Sequence, residues 1–171
     1  MRRLNGGFTL IELLVVIAII GLLSSVVLAS LNVARGKAIN TKRIAEVRQI
    51  QTALEYYYDK YGVYPNPSSD AGAFYCGGWD ASVDGTFIGA LVSNGFFPTN
   101  ISDSRDTNCG NFTYYRYPAG SYGCPSNAGA YYILGIRQMD SGGFPDSPGF
   151  SCSFRNWQSE FTWVTGKYEN E

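Results

Sequence analysis

The most constraining feature of this chain lies near its start. From Leu13 to Leu31, nineteen consecutive residues carry no formal charge, and most of them are Leu, Val or Ile. A helix needs about 20 such residues to cross a bilayer. The preceding stretch, residues 1–7, is short and basic (Arg2, Arg3) and ends in Gly6-Gly7, and a single carboxylate, Glu12, stands at the front of the run. A secretory signal places its small-residue cleavage site after the apolar region. Here the small pair comes before it, and Ala29-Ser30-Leu31 is a poor substitute. Cleavage after Gly7 would leave the apolar segment on the mature chain as a retained anchor.

Hydropathy alone would not place Glu12 there. A charged side chain at the centre of a membrane helix costs roughly 2.5–3.5 kcal/mol, and less toward an end. One reading is an interfacial carboxylate near a helix start, favoured by the helix dipole. The other is a charge kept for a partner charge: cleavage after Gly7 frees an ammonium at Phe8, and Glu12 of one copy could meet Phe8 of another. A buried carboxylate requires a partner of this kind.

Gly7-Phe8-Thr9-Leu10-Ile11-Glu12-Leu13-Leu14-Val15 resembles the class III signal of type IV pilins and pseudopilins. The resemblance covers about the first 30 residues; beyond them it is one of layout. It implies cleavage after Gly7 by prepilin peptidase, N-methylation of Phe8, and assembly with copies of itself and other pilins through the N-terminal helices. It also implies partnership with the membrane and the assembly machinery. Gly21 stands where many pilins have a helix-loosening glycine, but the proline often found eight residues later is Ala29 here, so local melting of the helix on assembly is less expected.

From Phe8 to Tyr61 nothing stops a helix: there is no proline, and glycine occurs only at 21 and 36. The chain divides into a leader (1–7), a membrane or assembly half of the helix (8–31), an amphipathic half (32–61) and a head (62–171). Past the apolar run, Ile39, Val47, Ile50, Leu54, Tyr57 and Tyr61 recur at helical spacing, with Arg43, Arg48, Glu55 and Asp59 read as lying off that stripe. Gly62 and Tyr64-Pro65-Asn66-Pro67 stop the helix. Residues 62–111 read as a connecting region with one short helix, opened at Asp84-Gly85-Thr86 and closed at Asn94-Gly95. Strands are expected at 112–117, 130–139 and 160–165 within the sheet region 112–171. The fold class is α+β: an antiparallel meander whose apolar face covers the helix stripe.

Charge is unevenly spread. Residues 32–61 carry six basic and three acidic side chains, and residues 62–171 carry five basic and ten acidic. An acidic head argues against nucleic-acid binding, which uses basic patches. Arg35, Lys37, Lys42 and Arg43 after the apolar run outnumber Arg2 and Arg3 before it, which by the positive-inside rule would keep the head in the cytoplasm. The four cysteines oppose that placement. Cys76, Cys109, Cys124 and Cys152 all lie in Gly-rich head sequence, and an even number in a small loop-rich domain reads as two disulfides in an oxidising compartment. The cysteines and the signal carry more weight, which puts the head outside the inner membrane and later in a surface or periplasmic filament. Loop positions favour Cys76–Cys109 with Cys124–Cys152; the rival is Cys109–Cys124 with Cys76–Cys152.

No catalytic set stands out. The chain has no histidine, so the commonest general base is absent, and there is neither a phosphate loop nor a nucleophile elbow. No cofactor is expected. The one metal candidate is calcium at Asp103, Asp106 and Asn108, oxygen ligands in a turn, set against their capping of backbone groups. The clustered tyrosines read as core aromatics. Asn100-Ile101-Ser102 and Asn111-Phe112-Thr113 match the glycan acceptor pattern. The reading is a structural filament subunit and not an enzyme. A pseudopilin of a type II secretion system is the near alternative, and a single-pass anchored binding module the one from another class.

Overall fold

The computed structural model describes residues 9–68, 76–84, 87–99, 101–106 and 109–171. One helix dominates. α1 runs unbroken from Leu10 to Tyr61, 52 residues, or about 78 Å at 1.5 Å per residue. It continues through Gly21 and Ala29 without a kink-forming residue. Thr9 caps its start: the hydroxyl accepts from Glu12 N–H, and the Glu12 carboxylate accepts from Thr9 N–H in return, a reciprocal capping box. Gly62 ends it in the left-handed conformation, φ 70°, and donates its N–H to the Tyr58 carbonyl.

The head is a four-stranded antiparallel sheet with β1 (Asp80–Ala81), β2 (Phe112–Tyr117), β3 (Tyr131–Ile136) and β6 (Trp163–Tyr168) in the order β1-β2-β3-β6. A separate two-stranded hairpin joins β4 (Ser151–Cys152) to β5 (Arg155–Asn156). The short helix α2 spans Gly89–Ser93. The antiparallel meander is therefore present, with different limits. β3 stops at Ile136 and not Met139, because Gln138 N–H turns to the Asn111 side chain. β6 begins at Trp163 and not Glu160, because Trp157–Ser159 form a 3-10 turn that carries Glu160 and Phe161 with it. α2 starts later than expected, after a 3-10 turn at Ser82–Asp84; the opening expected at Gly85-Thr86 lies outside the described residues.

Strand alternation gives the sheet two apolar faces. Phe112, Tyr114, Tyr132, Leu134, Ile136 and Trp163 pack on Ile44, Val47, Ile50, Ala53 and Leu54 of α1, where each fully buried aliphatic side chain contributes about 1.5–3 kcal/mol. Tyr117, Tyr131, Ile133 and Val164 face the other way, onto Trp79, Trp157 and Phe161. That second core exists because the Gly/Pro-rich segment after β3 folds back over the sheet. Gly135 allows it: a Cβ there would come within 2.8 Å of the Phe161 ring.

The α1 stripe differs from expectation at Arg43 and at its two ends. Arg43 is not on the open face; its side chain is 0% exposed. Positions 39, 43 and 47 are four apart, so Arg43 lies on the same face as Ile39 and Val47. Ile39 is only half-buried and Tyr61 is exposed.

Candidate functional site: the N-terminal helix and the clamp above it

Among the described residues, nothing covers the apolar first half of α1. Leu10, Ile11, Leu13, Leu14 and every larger aliphatic side chain from there to Val33 is exposed, Leu10 at 81%. This part of α1 is long and apolar enough to cross a membrane. Exposed apolar surface on this scale marks an interaction site, here a lipid or another apolar helix. Glu12 is the only charge in it. Its carboxylate accepts from both the N–H (2.9 Å) and the hydroxyl (2.6 Å) of Thr9, so within one subunit it is satisfied by its own helix start. Gly7 and Phe8 lie outside the described residues.

Above the apolar run the head is fastened to α1 by a polar cluster. Arg43 makes a bidentate contact with Asp103, Nε to Oδ2 and Nη2 to Oδ1, both 2.8 Å. Its Nη1 donates to Asp140 Oδ2 at 2.6 Å and to Asn40 Oδ1 at 3.2 Å. Arg105 reaches the other Asp140 oxygen from outside. Asn40, itself buried, accepts from Asp140 N–H and donates to the Asp140 and Gly143 carbonyls. The Arg105 hydrogen bonds, aided by Arg43, hold the Asp140 carboxyl down at about 2 despite partial burial. For Asp103 burial pushes upward, but the bonds from Arg43, Arg105 N–H and Asn111 outweigh it, and its carboxyl stays below the usual range.

This geometry assigns Asp103 and Asp106 other work than metal binding. Asp106 accepts from the Ser82 hydroxyl, Asp103 N–H and Asn111 N–H, and both Asp103 oxygens are engaged by Arg43. Asn108, the third candidate, lies outside the described residues. Among the described residues no cluster of three metal-ligating side chains occurs. Asn111 is equally committed. It is 1% exposed and donates Nδ2 to Asp103 and the Gln138 carbonyl, which leaves it unavailable as a glycan acceptor; Asn100 lies outside the described residues.

The cysteines form two bridges, Cys76–Cys109 and Cys124–Cys152. The second ties the β4–β5 hairpin to the loop after β2. Beside it Arg155 stacks on Tyr122 (4.7 Å) and Trp157 (5.2 Å) while its guanidinium holds Glu160. Of the tyrosines, Tyr64, Tyr114, Tyr117, Tyr131 and Tyr132 are buried, and burial raises the pKa of each. Tyr56 is exposed on α1.

Comparison with known proteins bears on the exposed helix. Residues 2–28 match the family model described as the prokaryotic N-terminal methylation motif. The chain is similar to type IV pilins and to a type II secretion core protein. It is 30% identical over 106 residues to the type IV major pilin protein PilE of Neisseria gonorrhoeae, covering 61% of each chain. It is 36% identical over 94 residues to the fimbrial protein EcpC of Eikenella corrodens, covering 54% of this chain and 56% of that one. The type II secretion system core protein G of Dickeya chrysanthemi is 34% identical over 73 residues, 43% of this chain and 48% of that one. The matches to the first curated relatives thus span less than two thirds of those proteins' length. No solved structure gives a significant match. The layout of long apolar helix, small antiparallel sheet and two disulfides is pilin-like.

Proposed function

We propose that this chain is a structural subunit of a type IV pilus-like filament. It is inserted in the membrane by its apolar run, cleaved after Gly7, methylated at Phe8, and polymerised through α1 with other copies. The observation that supports this best is that the methylation motif at residues 2–28 continues directly into a helix whose large side chains are uncovered to Val33. Lipid covers them before assembly, and the helices of other subunits cover them afterwards. Assembly needs no cofactor and no catalytic group. The likeness to a type II secretion core protein supports a second reading, a pseudopilin of a secretion system, which uses the same helix and the same processing.

Processing tests the proposal. Intact mass and N-terminal sequencing of the chain, coexpressed with a prepilin peptidase, should show a product beginning at methylated Phe8. A Gly7→Leu variant should remain as the uncut membrane form. A wild-type chain that keeps Met1–Gly7 under these conditions is an anchored module and not a filament subunit. Short periplasmic filaments dependent on a secretion machine, and not surface fibres, would select the second reading.

A further inference from the structure

The head begins close to the end of the apolar run that anchors it. The uncharged stretch from Leu13 to Ala34 is about 33 Å long as a helix, close to the ~30 Å of bilayer hydrocarbon. One residue later, at Arg35, the helix leaves the apolar slab, and the head begins at once. Gly36 is buried, and a methyl group there would overlap the Ser141 carbonyl. Gly142 packs on the Val33 carbonyl and on Lys37. Asn40 and Arg43 then hold Asp140 and Gly143 from above. The loop 141–144 is therefore pinned against the helix turn where hydrocarbon ends and headgroups begin. Its next side chain, Phe144, is 40% exposed. Lys37 is exposed on the helix turn that Gly142 packs against, Arg35 is exposed just below it toward the far side of α1, and among the described residues neither forms an ion pair. The chain then returns to the sheet edge at Ser147, which bonds to Val164 in β6.

We infer that the 141–144 loop is a bilayer-interface contact of the unassembled subunit, with Phe144 seated at the headgroup boundary and Arg35 and Lys37 set against anionic lipid phosphates. The partner is a lipid surface because this patch is continuous with the apolar run of α1. Its chemistry, one aromatic near the rim of an apolar segment with two cations on the same turn of the helix, is that of membrane-interface anchors. The clamp makes the contact specific: with Asp140 and Gly143 bonded to α1, the loop cannot swing away from the membrane, so the head's orientation on the bilayer is fixed before assembly. This inference rests on the reading of the apolar run as a membrane segment before assembly.

The test uses the full chain in vesicles of equal parts phosphatidylcholine and phosphatidylglycerol, with bromine-labelled acyl chains near the headgroup as a shallow quencher. A Phe144→Trp variant should lose the added tryptophan emission in the brominated vesicles. Phe154→Trp is the control. Phe154 is 83% exposed at the β4–β5 tip and bonded to Tyr122 at the end of the sheet away from the clamp, and its added emission should persist. Adding Arg35→Gln and Lys37→Gln should weaken the quenching at position 144. Vesicle flotation separates the two readings. A chain that floats with vesicles but shows equal, unquenched emission at 144 and 154 overturns the interface contact and leaves the membrane anchor standing. A chain that does not float overturns both.

Discussion

Arg43 is where the order of this molecule is most dependent on a single side chain. Its guanidinium is fully buried and serves two carboxylates on separate loops. Removing one member of such a group leaves the others buried and uncompensated, which costs about 3–5 kcal/mol. Arg43→Met should therefore destabilise the head by about that amount, read by urea denaturation of the full chain in detergent; a loss below 1 kcal/mol would show that the cluster is loosely solvated. The same cluster fixes a pH dependence. The folded Asp140 carboxyl lies at about 2, below its ordinary 3.8. A depressed carboxyl contributes stability that is complete above the ordinary value and lost as pH falls through the folded one. Stability should drop between about pH 4 and about pH 2, and Asp140→Asn should flatten that part of the profile. The signal for Arg43 was in the sequence, since it stands four residues from both Ile39 and Val47. Its charge argued for solvent, and the two aspartates that overrule this argument lie 60 and 97 residues away.

At the scale of elements, legibility followed periodicity. α1 could be read because no proline interrupts it and its apolar pattern persists, and β2 because it is a run of aromatic and β-branched residues. β1, the β4–β5 hairpin and the second core could not. The segment between β3 and β6 is rich in Gly, Ser and Pro and shows neither period, and its aromatics Phe150, Trp157 and Phe161 acquire a core only by meeting the far face of the sheet. The Cys124–Cys152 bridge holds that layer down across a separation of 28 residues. In the chain-entropy model such a closure is worth about 3–4 kcal/mol. A Cys124→Ser/Cys152→Ser double variant should lose roughly that much and should expose Trp157, now 0% exposed, with a red-shifted emission. Unchanged emission and denaturation midpoint would mean the aromatic contacts alone secure the layer.

For the whole molecule the deciding question, on the filament reading proposed above, is what Glu12 does once the subunit leaves the lipid. In the single chain it completes a capping box with Thr9, so its charge is already satisfied at the start of the helix. That arrangement accounts for a carboxylate at the front of a membrane segment without any neighbour, and it separates two roles that a Glu12→Leu change would remove together. Glutamine can close a capping box as glutamate does, but it carries no charge to offer a neighbour's Phe8 ammonium. If the ion pair sets the axial register of the filament, Glu12→Gln should insert, be cleaved and fold normally, yet assemble no better than Glu12→Leu. Cleavage is read by N-terminal sequencing and assembly by sedimentation of sheared filaments. If capping were the whole role, the glutamine variant would assemble like the wild type while the leucine variant failed. The expected outcome is failure of both, because a cap is worth only about 1 kcal/mol, whereas either change leaves a neighbour's Phe8 ammonium in the packed core of apolar helices without its partner, which is opposed far more strongly.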